Sequence, residues 1–239
     1  MNYLAHFHIA AQLLTPALPL PEYVLGTALP DLLSQAERRV RVRQERLWAS
    51  TETEAALSAG VLVHLATDAA FHKTVAFAEA SAAVSQLLAG AGFTGMRVRR
   101  FFVAHVLTEI ALDAVLLRAD MSLPDRFYGA FNAADFGEVR HWAETVTGRP
   151  LPGLTWVLTR FGESQYLREY RSDAGVATGL SNVCRRAGQD TFEGENFERL
   201  VEVAGQVAGL LPAFIPAIFT ETIAGILHSS GEKVMPVVQ

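Results

Sequence analysis

The apolar stretch at residues 60–77 carries three ionisable side chains at four-residue spacing. It reads GVLVHLATDAAFHKTVAF and sets His64, Asp68 and His72 at positions i, i+4 and i+8. On an α-helix this spacing stacks the three groups along one face. Burying them among aliphatic side chains is costly unless something there binds them, because a buried charge needs a partner. A metal ion is the obvious candidate.

A second apolar stretch repeats the pattern. The segment RRFFVAHVLTEIALDAVLL places His105, Glu109 and Asp113 at the same spacing. If the two helices pack face to face, their imidazoles and carboxylates converge in the interior, as in the metal sites of helical bundles. Mixed imidazole and carboxylate ligation suits zinc, manganese or iron better than calcium, which prefers oxygen ligands alone. A structural network, for example His64 paired with Glu109, is the alternative.

Two further motifs supply candidates for the same site. LGTALPDLL puts Asp31 directly after a proline, a pattern that is equally typical of a helix start. NYLAHFHIA places His6 and His8 two residues apart, so on a helix they point about 200° apart. We expect His6 to reach the pocket. His141 and His228 lie outside these patterns, and we interpret them as ordinary residues.

Apolar residues recur at intervals of three and four along the chain, which predicts an all-α fold. The predicted helices are 2–14, 21–35, 52–89, 95–119, 123–146, 151–170, 172–187 and 194–229, with Gly60 a candidate break in the third and TPALPLP and AGAGFTG as breaks between helices. A length of 239 residues with 50% hydrophobic residues allows a full interior. We therefore expect a single domain over residues 1–239, a multi-helix bundle with an internal metal site.

The composition limits the cellular locations and the binding partners that we expect for this protein. The formal net charge of -5 gives no reason to expect binding to nucleic acid. The single cysteine, Cys184, excludes an intrachain disulfide and favours a cytoplasmic location. The first residues lack a basic region of the kind that begins a signal peptide. The long charge-free run at 203–220 contains Pro212 and Pro216, so we predict a buried, kinked core helix and no membrane span. The oligomeric state is not predicted.

Arginine dominates the basic residues, with 18 Arg to 2 Lys. The chief basic cluster is ERRVRVRQER at 37–46. Guanidinium groups form forked hydrogen bonds to phosphate and carboxylate oxygens. The cluster is either a docking face for an acidic partner or an ordinary solvated surface.

Several of these motifs together resemble the acyl carrier protein phosphodiesterase family. The shared motifs, in order and spacing, are MNYLAHFHIA, LGTALPDLL, the His64 and Asp68 pair with a polar residue at 72, and RRFFVAHVLTEIALDAVLLRA. The segments at 165–188 and 197–218 resemble the C-terminal helices of that family, so the resemblance covers most of the chain apart from loops and 125–155. It implies a helical, metal-dependent hydrolase, usually with manganese, that cleaves the phosphodiester between 4'-phosphopantetheine and a carrier-protein serine. It marks His6, Asp31, His64, Asp68, Glu109 and Asp113 as site residues.

The chain departs from the pattern of that family at three positions. Residue 72 is His where the family tends to have a carboxylate, residue 109 is Glu where Asp is common, and His105 is additional. The extra histidines make the chain similar also to zinc-dependent phospholipase C and related nucleases. Their His-x-x-x-Asp and His-x-x-x-Glu pairs match residues 64 and 68, and residues 105 and 109.

The resulting hypothesis is a metal-dependent phosphodiesterase. One or two divalent ions, manganese or zinc with iron as a further option, would lower the pKa of a bound water and polarise the phosphate. The predicted metal ligands are His6, Asp31, His64, Asp68, His105 and Glu109. Asp113 or His72 would transfer a proton or orient a ligand. The substrate would be an acidic carrier protein or a small phosphodiester, and the alternative from a different class is a non-catalytic, metal-binding helical protein.

Overall fold

The computed structural model describes residues 1–13 and 20–230, with side chains to residue 228, and this part of the chain is all-α. The α-helices are α1 Tyr3–Leu13, α2 Leu20–Ala36, α3 Glu52–Phe71, α4 Val75–Gly90, α5 Arg100–Ala119, α6 Leu123–Phe131, α7 Phe136–Thr147, α8 Leu154–Ser164, α9 Asp173–Arg186, α10 Gly194–Leu210 and α11 Ile215–Ser230. Short 3-10 helices occupy Gln44–Arg46, Tyr166–Arg171 and Leu211–Ala213. No strand occurs in the described ranges, so the predicted fold class is confirmed. The predicted end of the first helix at residue 14 and most of the TPALPLP break lie outside the described residues.

The chain divides into two compact units, each made from three separate segments. Unit 1 comprises Met1–Ala5, Ala70–Met121 and Leu167–Gly225. Unit 2 comprises His6–Ala69, Ser122–Tyr166 and the chain from Ile226 onward. The expectation of a single domain over residues 1–239 stays a prediction.

Helix α5 is the central helix of unit 1, where it packs against α4, α9 and α10. Its buried apolar residues follow each other at intervals of three and four: Val103, Leu107, Ile110, Ala114 and Leu117. That spacing places them on one side of the helix, and burying a large aliphatic side chain contributes about 1.5–3 kcal/mol. The packing therefore fixes the rotation of α5 and the position of its polar side chains.

In unit 2, α2 packs against α6 and α8, and the backbones of α2 and α3 approach closely at two glycines. A Cβ atom added to Gly60 would lie 2.2 Å from the Tyr23 carbonyl oxygen and 2.9 Å from the Gly26 Cα. Gly60 therefore lies inside α3, where the absence of a side chain allows α2 to approach closely. The expectation that Gly60 breaks the helix is wrong.

The predicted helix 52–89 is instead interrupted at residues 72–74, and Thr74 explains where α4 begins. The Thr74 side chain caps α4 by accepting a hydrogen bond from the Phe77 amide at 3.2 Å, and it donates to the Phe71 carbonyl at 2.9 Å. A threonine in this position competes for the backbone groups that would continue α3. His72 thus lies in a turn, one residue beyond α3, and not on the helical face that carries His64 and Asp68.

Other predicted boundaries also change. The expected helix 123–146 divides because the Asp135 carboxylate caps α7 by accepting from the Gly137 and Glu138 amides. The expected start at residue 95 moves to Arg100. Pro30 lies inside α2, so the interpretation of LGTALPDLL as a helix start is wrong.

The charge-free run at 203–220 bends at a 3-10 helix that contains Pro212, as its prolines predicted. It buries Val207, Leu211 and Ile218 and leaves Pro212 and Pro216 exposed. Within the described residues, no single helix is long and apolar enough to cross a membrane, and two pairs of helices meet that length and composition test only when joined across a bend.

Candidate metal centre

Two groups of side chains in the described structure bring two imidazoles and one carboxylate within reach of a single ion. We call them the unit-2 triad, His6, His64 and Asp68, and the unit-1 triad, His72, His105 and Glu109. In each triad, one ligand atom per residue lies within 4.8 Å of the others. Each combines a His-x-x-x-acid pair on one helix with an imidazole from another part of the sequence.

The ligand atoms of the unit-2 triad have separations close to those of a coordinated ion. The Nε2 atom of His6 lies 3.2 Å from Asp68 Oδ1, and the Nε2 atom of His64 lies 3.5 Å from Asp68 Oδ2. The two imidazole rings stack with centroids 4.0 Å apart. Ligands about 2.1 Å from an ion, at octahedral or tetrahedral angles, lie about 3.0–3.4 Å from one another. Small side-chain adjustments would therefore suffice to bind one.

The hydrogen bond of His64 determines which of its ring nitrogens carries the proton. Its Nδ1 lies 2.7 Å from the Thr27 carbonyl oxygen, which can only accept, so Nδ1 donates. In the neutral ring the lone pair is then on Nε2, which faces Asp68 and lies 4.0 Å from Oδ1 of Asp31. A lone pair directed at two carboxylates is repelled, and a cation bound between them would turn that repulsion into attraction. Metal-binding histidines commonly donate their other nitrogen to a carbonyl in this way.

The close crossing of α2 and α3 makes the Thr27 contact possible. Gly26 and Gly60 bring the two backbones together one residue from Thr27 and one helical turn from His64. A side chain at either glycine would hold the helices apart and withdraw the carbonyl oxygen from the imidazole.

His6 is buried, and only one of its two ring nitrogens has a polar contact in the described structure. Its side chain is 1% exposed, Nε2 lies 3.2 Å from Asp68 Oδ1, and Nδ1 makes no hydrogen bond. Burial, helped by the neighbouring His64, lowers the pKa of His6 to about 3, so the ring is neutral. Leaving a buried nitrogen unsatisfied costs about 1–3 kcal/mol. An ion bound beside Asp68 would satisfy Nε2, the nitrogen that faces this carboxylate.

Asp68 supplies the negative charge of the unit-2 triad. Burial alone would raise its pKa, but the contact with His6 and the nearby His64 lower the pKa well below its usual range. The triad therefore presents one carboxylate and two imidazoles, a ligand set that suits divalent transition metals.

The unit-1 triad is centred on one oxygen atom. Glu109 Oε1 lies 3.1 Å from the Nε2 atoms of both His72 and His105, and the Met1 amino group lies at the same distance. The two imidazole rings are parallel, with an interplanar angle of 1° and centroids 5.1 Å apart. Burial would raise the pKa of Glu109, but the Met1 amino group and the hydrogen bonds from His105 and His72 lower it below its usual range. Glu109 is therefore ionised.

Asp113 lies in neither triad. It is fully buried, and its two oxygens accept hydrogen bonds from the backbone amides of Leu4 at 3.0 Å and Ala5 at 2.8 Å. These amides belong to the first turn of α1, whose N–H groups have no partner within the helix. Burial raises the pKa of Asp113 to about 7. The described contacts are those of a helix cap, and the expected role in proton transfer stays a prediction.

The structure groups six of the predicted residues into two triads. His64 and Asp68 join His6, whereas His105 and Glu109 join His72. His64 belongs to the unit-2 triad and Glu109 to the unit-1 triad, and the alternative pairing of these two residues stays a prediction. Asp31 adds a carboxylate near His64, and His8 lies in neither triad.

The amino-acid sequence does not reveal two of the contacts in these triads. The Thr27 carbonyl is a backbone group, so no residue type reveals it. The other is Phe77, whose ring contacts both imidazoles of the unit-1 triad. The apolar pattern alone marks Phe77 as an ordinary core residue.

Comparison of the chain with protein families, with curated proteins and with solved structures gave no match. The resemblance to the acyl carrier protein phosphodiesterases therefore stays a prediction.

Proposed function

We propose that this protein is a metal-dependent phosphodiester hydrolase whose metal centre is the unit-2 triad together with Asp31. The observation that carries the proposal is the orientation of His64. Its Nδ1 donates a hydrogen bond to the Thr27 carbonyl oxygen, and its Nε2 faces the carboxylates of Asp31 and Asp68. That arrangement favours a bound cation, and the Nε2 atom of His6, 3.2 Å from the same carboxylate of Asp68, offers a further ligand.

A divalent ion held there would supply an activated water and polarise a non-bridging phosphate oxygen. The residues of the chain hold and orient the ion: Asp68 contributes the charge, His6 and His64 contribute neutral nitrogens, and Thr27 prevents rotation of the His64 ring. Asp31 is 42% exposed at its side chain, so it lies where solvent and substrate can reach. Manganese or zinc suits this mixed ligand set, with iron as a further option.

The proposed substrate is a carrier protein bearing 4'-phosphopantetheine, as the sequence resemblance implies. The basic segment supports an acidic partner, because Val40 and Val42 are buried while Arg39, Arg41 and Arg43 between and beside them are exposed. The burial of the two valines leaves the three arginines on the solvent-exposed side of this segment. Such a positive row speeds encounter with an acidic protein.

The test is an activity assay with purified protein, manganese or zinc, and holo carrier protein, read by intact mass. We expect loss of the phosphopantetheine mass from the carrier protein, and loss of that activity in His64→Ala. His141→Gln is the matched control because His141 is exposed on α7 and outside both triads. An unchanged rate of hydrolysis in His64→Ala would show that this metal centre takes no part in the reaction.

A second candidate, a phospholipase C-like or nuclease-like phosphodiesterase, is favoured by the second His-x-x-x-acid pair, which also gathers a further imidazole. Turnover of phospholipid or of a nucleic acid, without turnover of the carrier protein, would select this candidate. Metal binding without turnover of any phosphodiester would select a non-catalytic metal-binding protein.

A further inference from the structure

We propose that the unit-1 triad, His72, His105 and Glu109, is a separate binding site for a late divalent transition-metal ion, with zinc as the reference ion. This inference goes beyond the proposed function, because it concerns cation binding within unit 1 and requires no hydrolysis. It also involves the positions where the chain departs from the family that it resembles.

The first argument is the convergence of ligand atoms. The Nε2 atoms of His72 and His105 each lie 3.1 Å from Glu109 Oε1. Ligands of a common zinc ion are separated by about 3.0–3.4 Å when the bonds are about 2.1 Å long. Two imidazoles and a carboxylate favour zinc and its neighbours in the transition series over magnesium or calcium, which prefer oxygen.

The second argument is that the two imidazoles are already held in place. Phe77 is 5% exposed, and its ring stands nearly perpendicular to both, at 87° to His72 and 88° to His105. Its centroid lies 5.7 Å from the first imidazole and 5.1 Å from the second. The same buried aromatic ring thus packs against both imidazoles and restricts the rotation of each. Preorganised ligands lose little side-chain entropy when they bind an ion.

The backbone of His72 is held by the turn between α3 and α4. The Lys73 amide donates to the Ala70 carbonyl at 3.0 Å, and the Thr74 amide donates to the Phe71 carbonyl at 3.1 Å. These bonds close the turn on both sides of His72. His72, which the sequence pattern placed on a helical face, therefore contacts Glu109 from a turn whose backbone is held by hydrogen bonds.

The third argument is access. The side chains of His72 and His105 are 37% and 40% exposed, so an ion can enter from solvent and retain water as a further ligand. The Met1 amino group contacts the same Glu109 oxygen and competes with an ion for it. We therefore expect this site to bind zinc more weakly than the unit-2 triad, whose two histidines are almost fully buried.

Zinc titration of the full chain by calorimetry tests the proposal. The wild-type protein should bind two zinc ions per chain. His105→Gln and Glu109→Gln should each lose the weaker ion and keep the other, and the control His141→Gln should keep both. Equal stoichiometry in His105→Gln and the wild type would overturn the proposal, because hydrogen bonds alone would then explain the triad.

A measurement on the wild-type protein covers the case in which these variants do not fold. Zinc should protect His72 and His105 from modification by diethylpyrocarbonate, read by peptide mass spectrometry. The exposed His141 and His228 are internal controls that zinc should not protect. Equal modification of His72 and His105 with and without zinc would overturn the proposal.

The same protection assay separates this inference from the proposed function. His64→Ala should abolish hydrolysis and leave the protection of His72 and His105 unchanged. Protection without hydrolysis in the wild type would refute only the proposed function. Loss of protection in His64→Ala would refute the independence of the unit-1 site.

Discussion

The substitution Gly60→Ala tests the link between helix packing and the unit-2 triad. The new Cβ atom would lie 2.2 Å from the Tyr23 carbonyl oxygen, whereas ordinary contact begins at 3.4 Å. Relieving that overlap requires α2 and α3 to separate by about 1.2 Å, because both contacting groups are backbone or Cβ atoms that cannot rotate away. The same shift would lengthen the 2.7 Å contact between His64 Nδ1 and the Thr27 oxygen to about 3.9 Å, beyond hydrogen-bonding distance.

Overpacking and the lost buried hydrogen bond together should destabilise the protein by about 2–4 kcal/mol. For a chain of this size that lowers the melting temperature by roughly 5–15 °C. Loss of the bond that orients His64 should also weaken metal binding about 10–100-fold. Circular dichroism melting and zinc calorimetry measure the two effects.

The matched control is Gly129→Ala, at an exposed position in α6 where an added Cβ meets nothing within 4 Å. Alanine is the better helix former by about 1 kcal/mol, so the control should be as stable as the wild type or slightly more stable. Equal melting temperatures and equal zinc affinities for Gly60→Ala and the control would show that the close approach of α2 and α3 at Gly60 does not position His64.

Three further predictions concern Asp113 and bound metal. Asp113→Ala leaves the Leu4 and Ala5 amides without their acceptors and should cost about 1–3 kcal/mol in chemical unfolding, and a cost near zero would contradict the capping role. Because burial raises the pKa of folded Asp113 from 3.8 to about 7, its protonation should stabilise the wild type fully below about pH 4 and progressively less as the pH rises through 7. Asp113→Asn should lack this contribution, and an identical pH dependence in the two proteins would argue against it. Removal of bound metal with a chelator should lower the melting temperature, since an ion at one hundred times its dissociation constant stabilises by about 2.7 kcal/mol, and an unchanged melting temperature together with no bound metal by elemental analysis would contradict both metal sites.

The limits of the sequence analysis are clearest at His72. The spacing of His72 from His64 and Asp68 predicted that all three share a helical face. Helix α3 instead ends at Phe71, one residue before His72, and Thr74 caps the start of α4. A capping threonine competes with helix continuation through contacts that a count of apolar residues does not include. His72 consequently joins His105 and Glu109.

Asp113 shows a different limit. Its spacing from Glu109 was read from the sequence correctly, yet its oxygens bond to backbone amides about one hundred residues away. Backbone donors are present in every residue type, so no sequence pattern identifies such a partner.

The sequence by itself determined the all-α class and the two His-x-x-x-acid pairs, because a helical turn brings residues i and i+4 together whatever surrounds them. It also predicted that only one of His6 and His8 reaches the site, since residues two apart on a helix face different ways. Only the tertiary structure decided which further imidazole joins each pair and which carbonyl orients His64. Those contacts join segments that are far apart in the sequence. Their geometry depends on where helices end, on the glycines that allow α2 and α3 to cross closely, and on side chains contributed by other parts of the chain.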